Sequence, residues 1–283
     1  MNTFPGSSSG SSDQATSSSL DVPPLFAALD GARRVLLAGA GGGFDVYAAL
    51  PLAITLWNRG VAVHLANLSF TPLETLDLDA WPAPDVALVA PATHGPEDYF
   101  PERILARWLA AHDLPSTVYA FARTGVQPLR AAYRHLTSHL GIDAYHGVVH
   151  SQVLENLAAL DRDGGYLGAL SIPSASREAA LYRDAVADAQ QATPMRPSIV
   201  QGQIAAATRG AFGDVQFTRR TAGSTLFVNP LMAAYFTVDL VSLANRCLYL
   251  DRIEQTADMH EVAAQIDAFR RQTTTRPPRV FPH

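Results

Sequence analysis

Residues 39–45 read G-A-G-G-G-F-D and follow the apolar run Leu36–Ala38. A buried strand that breaks into a glycine turn and then into a helix is the local pattern of a ligand-binding βα unit. Glycines let the backbone come close to a ligand and aim N–H groups at it, so Gly41, Gly42 and Gly43 are candidate ligand contacts. Such clustered N–H groups favour a small, polar or anionic ligand. Asp45 opens the next segment. Its carboxylate can cap that helix or face a ligand as a metal or hydroxyl partner, and capping is the reading that the helix dipole favours. Asn67 ends the second strand-like run, where nucleotide-binding folds place a ribose partner, and joins the candidate ligand set.

Three histidines are the candidate acid–base groups. His94 lies in A-T-H-G-P-E-D beside Glu97 and Asp98, after the third strand-like run. In a parallel sheet that position is the carboxyl edge, where a histidine can serve as general base or metal ligand. An ordinary polar loop accounts for the same residues equally. His146 and His150 stand four apart in Y-H-G-V-V-H. On a helix the pair would reach one metal ion. On a strand the two share a face about 13 Å apart, too far for that. The intervening G-V-V favours strand or turn, so each histidine is a candidate to touch a ligand singly.

No cofactor is identified by these residues. A dinucleotide fingerprint beginning at Gly39 and Gly41 would need glycine at position 44, which is Phe44, and an acid where Asn67 stands. The spacing of Gly39, Gly41 and Gly43 does match the G-x-G-x-G of S-adenosylmethionine-dependent methyltransferases, although Leu37 occupies the place of their usual acid. Tight strand–helix packing would also account for the glycines. Every positive charge is arginine, which excludes a P-loop lysine, a Schiff-base lysine and a lysine general base. There is no H-E-x-x-H and no G-x-S-x-G. The single Cys247 excludes an intramolecular disulfide and a multi-cysteine zinc site, and reads as a buried residue of an apolar helix.

The elements that must carry these residues alternate along the chain. Strand-like runs at Arg34–Ala38, Val61–Ala66, Asp85–Ala90 and Thr117–Ala122 are separated by helical segments. Tyr47–Asn58 is apolar, with Pro51 marking a kink or a late start. Pro101 sits at a first helical position, and Val126, Leu129, Tyr133, Leu136 and Leu140 recur at helical steps. Further strands are expected at Gly165–Ser171 and Thr225–Val228, and Asn229–Pro230 is expected to open a buried helix. This order predicts an α/β fold: a doubly wound, mostly parallel, Rossmann-like sheet with helices on both faces.

With 48% hydrophobic and 17% charged residues, the chain of 283 residues has the composition of a globular protein. Residues 1–19 form a Ser-rich tail expected to be disordered, 20–272 a single domain, and 273–283 a flexible tail containing proline and arginine. A net charge of −5 without any basic run argues against a nucleic-acid partner. The uncharged run Thr221–Val238 is interrupted by Gly223, Asn229 and Pro230, which suits a strand, a turn and a buried helix rather than a membrane span. The tail lacks the features of a signal peptide, so a cytoplasmic protein is expected, and a homo-oligomer is left open.

Taken in order, several segments resemble the family known as domain of unknown function 1152. They are G-A-G-G-G-F-D-V at 39–46, H-L-A-N-L-S-F at 64–70, Y-F-P-E at 99–102, Y-A-F-A-R-T-G-V-Q-P-L at 119–129 and Y-H-G-V-V-H-S-Q-V-L-E-N at 145–156. P-S-I-V at 197–200, G-A-F-G-D at 210–214 and L-F-V-N-P-L-M-A at 226–233 complete the set. The resemblance implies an α/β fold from about residue 33 to 255 and names no activity. It also implies an acidic glycine-rich stretch after G-I-D-A, of the kind that holds a metal or does chemistry; here Gly141–Ala144 runs straight into Tyr145. Three functions are therefore carried forward. The first is an enzyme binding a small polar or anionic metabolite at the glycine loop and carboxyl edge. The second is a degenerate binding or assembly protein, and the third is a methyltransferase.

Overall fold

The computed structural model of the chain describes residues 22–142, 147–150, 165–215 and 226–273, with 147–150 defined by backbone. His146, the Ser-rich tail and residues 274–283 lie outside the described residues.

Four strands form the first sheet: β1 (Arg34–Gly39), β2 (Ala62–Leu68), β3 (Val86–Val89) and β4 (Val118–Phe121), in the order β1-β2-β4-β3. β1, β2 and β4 are parallel, so the fold is α/β with a mostly parallel sheet. Gly39, Asn67 and Ala120 stand level across these three strands. The third strand departs from the expected direction. β3 is antiparallel to β4, with Val86 opposite Phe121 and Val89 opposite Val118. A parallel return needs a crossover that carries the chain back over a face of the sheet. Between β2 and β3 the regular structure is two single 3₁₀ turns, Leu73–Thr75 and Leu78–Ala80, so the chain re-enters from the edge it has just left.

Helices cover both faces. α1 (Pro24–Ala28) precedes β1. After the glycine turn a 3₁₀ turn (Asp45–Ala49) leads into α2 (Leu50–Asn58), with Pro51 in its first turn, so the helix starts late rather than kinking. α2 and α3 (Pro101–Ala111) bury Ile54, Leu105, Trp108 and Leu109 with Val63, Leu65 and Val118 of the sheet. α4 (Val126–Leu140) sets Ala132, Leu136 and Leu140 against Ala66 and Phe121 on the other face. α5 (Arg177–Ala192) adds Tyr182, Ala185 and Val186 to the core shared with α2 and α3. α6 (Ile199–Ala207) follows, and Tyr182 Oη donates to Gln201 Oε1 over 2.7 Å.

A second sheet is antiparallel: β5 (Gly147–His150), β6 (Tyr166–Ser171) and a central strand that pairs with both. β7 (Gly213–Val215) and β8 (Leu226–Val228) pair antiparallel as a separate two-stranded sheet. The helix expected after Asn229–Pro230 is one 3₁₀ turn (Pro230–Ala233), capped as foreseen by the Asn229 side chain on the Leu231 N–H. It is followed by the central strand β9 (Ala234–Val238), in which every residue is buried. Tyr235, Phe236, Thr237 and Val238 are strand-forming types, and hydrogen bonds on both sides override the helical opening.

The chain ends in α7 (Leu240–Ala244), α8 (Leu250–Ile253) and α9 (Met259–Gln272). Cys247 is half-buried in the turn between α7 and α8, not within an apolar helix. Among the described residues no helix is long and apolar enough to cross a membrane.

Candidate functional site

The glycine turn, the end of β2 and the start of α3 converge at the carboxyl edge of the parallel strands. Asn67 is fully buried; its Nδ2 donates to the Gly43 carbonyl (2.7 Å) and to Glu102 Oε1 (2.7 Å). Both neighbours are acceptors, so the amide orientation is settled chemically and Asn67 Oδ1 is left buried without a partner. Glu102 sits in the first turn of α3, entirely enclosed. Burial raises its carboxyl above the usual glutamate range, against hydrogen bonds from Asn67, its own N–H, Ser69 and Thr71 that favour the charged form. Thr71 Oγ1 lies 3.5 Å from Glu102 Oε2.

Aromatic rings close over the loop. Gly42 has φ +87°, a left-handed conformation suited to glycine, and the Phe70 ring lies where a side chain at 42 would go. The Tyr99 hydroxyl lies against Gly43 in the same way, and burial followed by the Glu102 charge raises that phenol. Tyr47, wholly buried, donates to the Pro101 carbonyl (3.2 Å) and ties the turn after the loop to the start of α3.

Asp45 does not cap. Its carboxylate turns back to accept the Gly41 N–H, while the 3₁₀ turn it opens has no side-chain cap. Partial burial raises this carboxyl and the Gly41 bond opposes the rise. One loop donor is therefore already occupied by a negative charge, because Asp45 is close enough to satisfy it without leaving the turn.

Open space lies on the other side of Phe70. A cavity of about 570 Å³ sits over the ends of β2 and β4 and the start of β3, lined among others by Phe70, Thr71, Trp81, Asp85, Arg123 and Met259. Backbone bonds hold this rim together: Ser69 N–H to Phe121 O (2.9 Å) and Ala122 N–H to Asp85 O (2.9 Å). Gly125, which precedes α4, lies so close to the 256–258 backbone that a side chain could not fit. That approach lets Thr256 Oγ1 accept the Val126 N–H (3.1 Å) and Thr256 O the Gln127 N–H (3.0 Å), satisfying first-turn donors of α4. The same contact brings Met259 of α9 to the cavity.

Of the expected ligand residues, Gly41, Gly42, Gly43, Asp45 and Asn67 come together around this edge. The histidines do not join them. Because β3 runs antiparallel, the chain after Val89 leaves from the opposite side of the sheet. His94 is exposed in the following loop, and among the described residues it makes no hydrogen bond or ion pair. The loop is instead held by buried Arg103, whose guanidinium donates to the carbonyls of Thr93, Gly95 and Pro96. His150 belongs to a strand of the second sheet, opposite Tyr235, as the intervening G-V-V favours, and His146 lies outside the described residues. Among the described residues no group of three His, Cys, Asp or Glu could hold a metal ion.

Glu102, Thr71, Phe70, Tyr99 and Arg123 are absent from the expectation. Pro101–Glu102 reads as an ordinary helix start, an acid in the first turn, which conceals the buried partner. The available signal was the set of motifs itself: 39–46, 64–70 and 99–102 supply Gly43, Asn67, Ser69, Phe70, Tyr99 and Glu102, and 119–129 supplies Arg123. No family model, no curated protein and no solved structure matches the chain.

Proposed function

We propose that this protein binds a small polar or anionic metabolite over the carboxyl edge of a doubly wound, Rossmann-like sheet, in the cavity beyond Phe70. One observation carries the reading. Arg123, at the rim of the 570 Å³ space, has the Phe70 ring 5.4 Å from its guanidinium carbon and, among the described residues, no carboxylate partner. A solvated guanidinium beside an aromatic face in a cleft is a ready partner for a carboxylate or phosphate. The Asn67–Glu102 pair and the glycine loop are then the rigid wall behind Phe70. A fluorimetric thermal-shift panel of carboxylate and phosphate metabolites tests this, since a ligand that binds the native state raises its apparent stability. A binder whose effect is lost in Arg123→Gln supports the reading; a panel without any shift overturns it.

Catalysis at the same edge is a second reading, favoured by Glu102. Its buried carboxyl, raised above the usual range, reaches the cavity wall through Thr71. A carboxyl raised in this way is suited to pass a proton to or from a bound ligand. Turnover lost in Glu102→Gln with ligand affinity retained would establish it; a ligand bound but never converted supports binding alone. The methyl-donor reading rests on glycine spacing, and calorimetric titration with S-adenosylmethionine tests it. Kinship with the domain of unknown function 1152 family, a single domain over 20–272 and a cytoplasmic location belong to the same proposal.

A further inference from the structure

Charges around the cavity are of both signs. Its lining contains one guanidinium, Arg123, and two carboxylates, Glu74 and Asp85. Among the described residues these three form no ion pair with one another or with any other side chain. Arg123 lies over the Phe70 ring rather than against either acid. Asp85 and Arg123 nevertheless come from adjoining chain ends, since the Ala122 N–H donates to the Asp85 carbonyl (2.9 Å). Opposite charges at one rim, unpaired across open space, suit a ligand that bears both.

Resting on the cavity reading above, we propose that the occupant is a zwitterion of amino-acid type with a large apolar side chain. Its carboxylate lies in the planar fork of Arg123, a geometry that guanidinium groups match with two parallel N–H donors. Its ammonium lies between Asp85 and Glu74. Its apolar body rests on Phe70, Trp81 and Met259. A simple anion fits less well, because one guanidinium against two carboxylates leaves the lining net negative. A simple amine leaves Arg123 without a partner. The volume falls within the range of about 300–1,000 Å³ usual for small-molecule sites. Asp85 is also held at φ +60°, which few side chains adopt and which aspartate tolerates.

The test is isothermal titration of the full chain with three probes: L-phenylalanine, 3-phenylpropionate, which lacks the amine, and phenethylamine, which lacks the carboxylate. L-phenylalanine is expected to bind at least about tenfold more tightly than either half. Arg123→Gln should weaken L-phenylalanine and phenylpropionate but not phenethylamine. Asp85→Asn, which keeps a residue type tolerant of the left-handed backbone, should weaken L-phenylalanine and phenethylamine but not phenylpropionate. Phenylpropionate binding as tightly as L-phenylalanine, and lost in Arg123→Gln, overturns the zwitterion while the anion-binding cavity stands. Binding of all three unchanged in Arg123→Gln, Asp85→Asn and Phe70→Ala overturns both. Absence of binding by all three overturns the zwitterion, and the metabolite panel then decides the cavity reading separately.

Discussion

Asn67 and Glu102 meet side chain to side chain at 2.7 Å, fully enclosed, although they are 35 positions apart in the chain. One amide group thereby joins the glycine turn, the second strand and the third helix, because the same Nδ2 also donates to the Gly43 carbonyl.

Removing that amide should be costly. In Asn67→Ala, Glu102 Oε1 and the Gly43 carbonyl lose their shared donor inside the protein, and each unsatisfied buried group costs about 1–3 kcal/mol. Chemical denaturation should show a loss in the range of about 2–4 kcal/mol. A change under about 0.5 kcal/mol would mean that water replaces the amide.

Glu102 makes stability depend on pH in a defined direction. Burial raises its folded-state pKa above the unfolded value, so the native state binds the proton more tightly. Stability then falls as pH rises from the unfolded glutamate value through the folded one, and the loss remains above it. Glu102→Gln removes this ionisation and can still accept from Asn67. Its melting temperature should exceed that of the unmodified protein at neutral pH, with the gap closing as pH drops below the ordinary glutamate range. A gap that stays constant between about pH 4 and pH 8 would rule out the titration.

Gly42→Ala brings two separable penalties. The left-handed backbone costs a side-chain-bearing residue about 1–2 kcal/mol, and the new methyl group meets the Phe70 ring. In a Phe70→Ala background the second penalty disappears and the first stays. Equal losses in both backgrounds would show that the ring does not oppose the methyl group.

Tyr235 of β9 donates from its hydroxyl to the Ala48 carbonyl (2.6 Å), joining the second sheet to the turn after the glycine loop. Tyr235→Phe should lower stability by about 0.5–1.5 kcal/mol, as measured by denaturant titration. A neutral substitution would mean that apolar packing alone holds the two layers.

His94→Ala should leave stability within about 0.5 kcal/mol and ligand affinity unchanged, because the ring is exposed and away from the converging edge. Loss of binding in this variant would move the site to the 90–100 loop.

Local structure was legible along the chain. β1, β2 and β4 lie within a residue or two of their expected limits, since apolar runs bounded by turns are short-range signals. The helical steps from Val126 to Leu140, Pro101 at a helix start and Asn229 as a cap were equally readable. The glycine turn, Asp45 and Asn67 lie at the carboxyl ends of β1 and β2, a placement that strand-then-turn patterning makes readable.

What the residues could not declare were the relationships between distant segments. The direction of β3 depends on which strand receives its hydrogen bonds, and that choice moved His94 away from the edge where a parallel strand would have put it. Ala234–Val238 follows a well-formed helix opening, yet partners on both sides make it the centre of a sheet. Glu102 looked like a helix-start acid until burial and Asn67 gave it a different character. The glycine turn itself was visible from sequence, but its covering by Phe70, its occupation by Asp45 and the open space beside Arg123 were not. Periodicity and turn chemistry act between near neighbours; strand partnership, burial and the pairing of charges arise only when segments distant in the chain pack together.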